Sequence, residues 1–384
     1  MFESLSQLAL QHYWWIIIST LAGLLVFLLF VQGGQTLIYT LGKTAQEQTI
    51  LVNSLGRKWE FTFTVLVVFG AGFFASFPLF YSTSFGGAYW VWMAILFCFV
   101  LQAFSYEYRS KPNNFLGKRT FEIFLLINGF GGTVLLGTAV ATLFTGANFS
   151  ISMDNLANEQ NFIISQWTNA AHGLEAVLDL RNLALGLAVF FLARVLALLY
   201  FANNVDQAAI NERVKKQLLI NAIPFVFFFL AFVISIFLSK GYAYDPNTKV
   251  VFMEKFKYFK NLIEMPVAGL LFLVGVLMVL GGIALNLLKG SDKGIWYSGI
   301  GTIVTVFTLF IILGFNNTAF YPSQYDLQSS ITIENGSSSH YTLTAMSYVS
   351  LFVPVVAVYM FFAWKAINNK KIDVAEIESE SHVY

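Results

Sequence analysis

Hydrophobic residues along this chain neither alternate as in a half-buried strand nor recur once per turn as on a surface helix. They run together in nine stretches, at about 13–41, 59–82, 88–105, 119–144, 178–202, 216–239, 263–288, 295–316 and 343–366. A helix rising about 1.5 Å per residue crosses the hydrocarbon of a bilayer in about 20 residues, and each stretch approaches or exceeds that length. Strands of a membrane barrel would alternate, and backbone that is not in a barrel must close its hydrogen bonds within one helix. The pattern therefore predicts an all-α polytopic membrane protein with nine transmembrane helices in a single integral membrane domain, followed by a tail over 367–384. Stretch three is short; stretch one is long and is expected to tilt or to extend past the membrane.

Composition narrows the function. Only 11% of residues are charged and 57% are hydrophobic, against about 25% charged in soluble domains. Nine spans use most of the 384 residues, which leaves no large soluble domain. A net charge of +1 speaks for neither nucleic acid nor an acidic partner. Cys98 stands alone inside a span, so no disulfide framework or cysteine metal site is expected. Residues 1–12 lack a basic segment, and the first apolar stretch is long enough to be retained, so no cleavable leader is expected.

Charge orients the spans. Lys43, Arg57 and Lys58, then Arg109, Lys111, Lys118 and Arg119, then Arg213, Lys215 and Lys216, then Lys289 and Lys293, and finally Lys365, Lys370 and Lys371 all fall on one side of a nine-span chain. These fifteen compare with five on the other side, all in loop 240–262. Basic residues are retained on the cytoplasmic side, which predicts the N-terminus outside and the C-terminus inside. The acidic tail Asp373–Glu380 is then a solvated end. In the outer loop 317–342, Ser329–Ile333 and Ser339–Thr342 flank Asn335-Gly336, the sequence of a type I′ turn, and a small β-hairpin is expected.

Polar groups inside the apolar stretches carry the functional question, because a charge at the centre of a membrane helix costs at least about 2.5–3.5 kcal/mol. Gln32 and Gln35 lie in the inner half of span one, Glu60 at the start of span two, Glu107 and Arg109 at the end of span three, and Glu122 at the start of span four. Arg194 is eight residues from the inner end of span five, roughly 12 Å along the helix. These seven gather in the cytoplasmic half. They suit a water-lined proton entry, and they suit ordinary ion pairing and interhelical amide bonds as well. His12, His172, His340 and His382 are isolated, so neither a haem nor a metal site is expected from this chain alone. Gly33-Gly34, Gly70, Gly72, Gly129, Gly131, Gly132 and Gly281-Gly282 are read as close helix contacts. No arrangement of a nucleophile or general base marks a catalytic residue.

Several strings, in this order and spacing, resemble subunit II of cytochrome bd-type quinol oxidases. They are Leu8–Trp15 with Trp14-Trp15, Val52-Asn53-Ser54 ahead of Lys58-Trp59-Glu60, and Phe73–Tyr81 with its aromatic-Pro segment. Glu107-Tyr108-Arg109-Ser110-Lys111, Asp292-Lys293-Gly294 with Trp296, and Tyr321-Pro322-Ser323 through Thr342-Leu343-Thr344 complete the set, which covers essentially the whole chain. One departure stands out: the family commonly has Asp-Gly-Phe-Asp in span one, where this chain reads Gln32-Gly33-Gly34-Gln35. The acid after Trp59 is Glu60 rather than the more usual Asp.

The resemblance implies a heterodimer in the bacterial cytoplasmic (inner) membrane that oxidises a membrane quinol and reduces O2 to water. Haems b and d would reside in the partner, subunit I, with no cofactor bound by this chain alone; a structural quinone and a small accessory subunit stay open. This chain would support the haem-bearing subunit and conduct cytoplasmic protons, with Glu60 the expected carrier and Trp59 packed beside it. Two rivals are a secondary transporter, for which no matched broken helices or repeats are visible, and a purely structural assembly subunit.

Overall fold

The computed structural model describes residues 2–111, 113–157 and 163–372; the acidic stretch Asp373–Glu380 and His382 lie outside them. Among the described residues nine helices are long and apolar enough to cross a membrane. In order, spans one to nine are Gln7–Gln35, Ala45–Ser76, Tyr89–Tyr108, Lys118–Thr145, Leu180–Asn204, Ala208–Leu238, Pro266–Lys289, Gly294–Gly314 and His340–Ile367.

Local chemistry sets their ends. The Ser6 hydroxyl accepts from the Ala9 amide at the head of span one, and the Asp179 carboxylate from the Arg181 amide at the head of span five; each satisfies a donor that the first turn leaves unpaired. Pro266 opens span seven, where its missing N–H is not needed. Residues 42–58, expected as a loop, instead contain the helix Ala45–Gly56. Thr44 and Glu47 close it with a reciprocal capping box, and Ile50, Leu51, Val52 and Leu55 are buried. The helix is interrupted at Arg57 and Lys58 and resumes at Trp59. Span nine breaks at Leu351 and Phe352, just ahead of Pro354, whose ring clashes with the preceding turn of a continuous helix. Span four widens at Asn128–Gly132 into an i→i+5 turn, a form rare in helices and frequent at functional sites.

Spans one, five and eight form the buried centre, whereas only 11% of the apolar window of span nine is buried. Span one crosses its neighbours at glycines. A Cβ on Gly33 would lie 2.1 Å from the Ala193 backbone of span five, and one on Gly129 would lie 2.5 Å from the Gln32 carbonyl, so these backbones touch where no side chain fits. Gly70 and Gly72 make only ordinary contacts and Gly281 faces open space, so the close approach expected of these three is absent. Gly282 does pack closely, on Gly294 and Ser298 of span eight.

The basic loops meet at one end. Arg213 pairs with Glu47 there, Lys371 pairs with Asp292, and Ile372 bonds to Asn204 and Asp206 through the backbone. At the opposite end two antiparallel hairpins form a small layer: β1 (Phe149–Ile151) with β2 (Ser165–Trp167), and β3 (Lys240–Tyr244) with β4 (Val251–Lys255). The loop after span eight joins them by pairing Thr318 with Ala243 and Ser323 with Ala147, and the Tyr321 ring stacks on Phe149 at 5.0 Å. The hairpin expected around Asn335-Gly336 does not form. Ile331 pairs back with Tyr321, and Thr332 caps a helical turn, Ile333–Gly336, in which the Asn335 side chain accepts from the Thr332 amide at 2.7 Å. Neither Asn335 nor Gly336 has the positive φ of a type I′ turn. The Thr-x-x-Asn capping box holds the segment in the α region instead.

Candidate functional site: a buried polar track

Helical spacing lines polar groups up at the basic-loop end. On span three, Gln102, Tyr106 and Arg109 recur at intervals of four and three and so share one face, about 10 Å long from first to last. On span one, Gln32 and Gln35 share a face three residues apart. The wide turn of span four presents Asn128, six residues after Glu122.

These residues meet. Gln32 Nε2 and Gln35 Nε2 each donate to Gln102 Oε1 at 2.6 Å, and Asn128 Nδ2 donates to the same oxygen at 2.7 Å. Asn128 Nδ2 also reaches Gln35 Oε1 at 2.9 Å, and Gln35 Nε2 reaches the Tyr106 hydroxyl at 3.1 Å. The Trp59 ring stacks on Tyr106 with centroids 5.9 Å apart. One turn further along span three, Arg109 Nε and Nη2 both donate to Glu122 Oε1, at 3.0 and 2.7 Å, and the Tyr39 hydroxyl donates to Glu122 Oε2 at 2.6 Å. Both carboxylate oxygens are thus engaged. The pair is 2% and 6% exposed, while Tyr39 is half-exposed and gives it a solvent side. The arrangement is a chain of hydrogen-bonding groups from the surface at Tyr39 to the amides deep among spans one, three and four.

Of the residues singled out from sequence, Gln32, Gln35, Arg109 and Glu122 come together in this track, and Trp59 packs against it. Arg194 lies close by but apart from it. Its Nε donates to Asn221 Oδ1 at 2.6 Å and its Nη1 to Thr36 Oγ1 at 2.9 Å, one residue beyond Gln35. Glu107 pairs with Lys111 at 3.0 Å on the surface, both side chains well exposed. Glu60 is exposed on the outward side of span two.

Sequence reasoning missed Gln102, Asn128, Tyr106 and Tyr39. The first two carry the same signal as Gln32, an amide inside an apolar run. It also counted Lys58 as a loop cation. Lys58 is fully buried, its amine has no hydrogen-bond partner and lies 4.7 Å from the centre of the Trp364 ring, a cation–π contact. Among the described residues no three His, Cys, Asp or Glu side chains gather as metal ligands. His172 contacts the Gly87 carbonyl and His340 that of Leu5.

Comparison with known proteins places the chain. It is 24% identical over 392 residues to the probable cytochrome oxidase subunit 2 of Haemophilus influenzae, covering 97% of this chain and 98% of that protein. It is likewise 24% identical over 388 residues to cytochrome bd-I ubiquinol oxidase subunit 2 of Escherichia coli K12, with the same coverage. A chain in the structure of the bd oxidase from Geobacillus thermodenitrificans has a similar fold, with a TM-score of 0.56 at 9% identity over 93% of this chain and 99% of that one. The sequence profile of cytochrome bd terminal oxidase subunit II matches residues 10–367, nearly the whole chain. The protein is therefore a multi-pass membrane protein that belongs to the cytochrome bd terminal oxidase subunit II family, as a subunit of an oxidoreductase complex.

Proposed function

We propose that the complex takes electrons from a membrane quinol and reduces O2 to water in the bacterial inner membrane, with haems b and d held by a partner subunit I. The observation that carries this reading is the family match over residues 10–367, and the name of the E. coli relative as a ubiquinol oxidase subunit supports the choice of donor. Family membership favours it over a secondary transporter. In this reading the basic-loop end faces the cytoplasm and the N-terminus lies outside.

Reducing O2 to water consumes a proton for every electron, so a subunit that reaches into the cytoplasm has a clear task beyond support. Tyr39, Glu122 and Arg109 form the mouth of a proton route, and Tyr106 and Gln35 lead from it to Gln102, Gln32 and Asn128. Gln32 and Gln35 cannot titrate. A proton passing them moves by rearrangement of hydrogen bonds, and Glu122 is the carboxylate of the route. Glu107 with Lys111 marks the rim, and Arg194 holds the Thr36 turn in position. Glu60 is a second delivery point: an exposed carboxylate at the head of a lipid-facing helix is satisfied when a partner subunit or water covers it.

Purification through a tag on this chain tests the reading. A haem-bearing partner with absorbance in the red is expected to copurify, and a colourless chain without one would overturn it. Within an assembled complex with a normal haem spectrum, Glu122→Gln and Glu60→Gln are each expected to lower oxygen consumption. If both leave it unchanged, the subunit's role is support alone.

A further inference from the structure

The amides at the inner end of the track bond to one another incompletely. Gln32, Gln102 and Asn128 are fully buried and Gln35 is 1% exposed. Three nitrogens converge on Gln102 Oε1, yet Gln32 Oε1, Gln102 Nε2 and Asn128 Oδ1 find no partner in the protein. These three atoms belong to the amides that meet at that one oxygen. A buried amide atom left unbonded forfeits its whole hydration, and buried polar groups in folded proteins are rarely left so.

Reassigning the amides does not close the network. Nitrogen and oxygen of an amide are told apart only by the bonds they make. Each contact requires opposite ends of its two partners to face each other, so turning one amide forces the other three to turn. The reversed arrangement fails as well, because Gln102 would then present a nitrogen with two hydrogens to three acceptors. The arrangement present leaves two acceptors and one donor. A cation would face the N–H2 group, and an anion two carbonyl oxygens. A molecule that both donates and accepts satisfies all three, and buried water typically makes about three such bonds.

We propose that Gln32, Gln102 and Asn128 enclose a binding site for one buried water molecule, an integral part of the cluster. The proposal deepens the proton-delivery reading and rests on it for its role. Where no side chain can titrate, the water is the member of the track free to reorient. The site itself stands on the bonding count alone.

A density map of the intact haem-containing complex, at a resolution that resolves ordered water, decides it. The expected result is a peak within hydrogen-bonding reach of all three amides. That peak should be lost in Gln102→Leu, which removes the hub, or, if that variant fails to assemble, weakened in Gln32→Leu. A wild-type map with no peak between the amides, or a peak unchanged in these variants, overturns the site. Turnover separates the two ideas. A peak present in wild type and lost in Gln102→Leu, with oxygen consumption unchanged, keeps the water site and ends the proton role of this cluster.

Discussion

The Arg109–Glu122 pair at one end of the molecule and two lysine–glutamate pairs at the other make the same kind of contact under opposite conditions. At the basic-loop end Arg109 and Glu122 are 2% and 6% exposed and bonded through two nitrogens. At the opposite end the lysines of the Lys249–Glu334 and Lys260–Glu254 pairs are 59% and 43% exposed. Exposed pairs exchange hydration for contact at little net gain. A buried pair, once formed, holds two charges that neither lipid nor core will accept singly. The count of ion pairs therefore says little about either end, and the surroundings of each pair decide what its loss would do.

The sharpest way to test that contrast is to remove one member of the buried pair. Glu122→Leu takes away the carboxylate that receives two nitrogens of the buried Arg109 guanidinium, and is expected to cost about 3–5 kcal/mol, read as a fall in the thermal midpoint of the assembled complex. Replacing both residues by leucine should restore most of the loss, because the penalty lies in keeping a buried charge without its counter-charge. If the single variant were as stable as wild type, the two ends would differ only in appearance.

A smaller effect is expected from the neutral part of the track. Gln102→Leu removes the oxygen on which three amide nitrogens converge. The donors left behind should cost about 1–3 kcal/mol, checked by the same melt. A loss as large as that of Glu122→Leu would mean that the amides, and not the ion pair, hold spans one, three and four in register.

The sequence makes some of this legible and not the rest. The nine spans could be read because length and apolarity are local and redundant. Gln32 and Gln35 stood out because a paired amide in an apolar run is rare. Glu60 and Glu122 carried equal signals, an acid at the start of a span, yet one is exposed and the other buried against Arg109. What separates them is the rotation of each helix against its neighbours; that of span four is fixed where Gly129 meets the Gln32 carbonyl. No window on one span contains that information. The helix Ala45–Gly56 was a different kind of miss, since Thr44 and Glu47 already spelled its cap. At Asn335-Gly336 the dipeptide pointed to a turn, while Thr332, three residues before Asn335, decided the outcome.

That cap offers a milder test at the opposite end. Thr332 Oγ1 accepts from the Asn335 amide at 3.2 Å, and Thr332→Ala is expected to cost about 1 kcal/mol, seen as faster proteolysis of the loop between spans eight and nine. An unchanged loop would show that the Ile331–Tyr321 pairing suffices to fix it.

The smallest effect should come from acid. Glu254 receives the Lys260 ammonium at 2.5 Å on the exposed hairpin, and that bond holds its carboxyl below the ordinary value of 4.5 although partial burial acts the other way. A carboxyl whose folded value is depressed contributes stability above its unfolded value and loses it as pH falls through the folded one. Local protection of β3–β4 in hydrogen exchange should therefore be full at neutral pH and weaken only below about pH 4.5. Because the pair is partly hydrated, the change should stay under about 1 kcal/mol and be absent in Glu254→Gln. Equal acid sensitivity in that variant would place the titrating group elsewhere in the layer. An effect as large as that of Glu122→Leu would mean that this end is less open to water than its lysines imply.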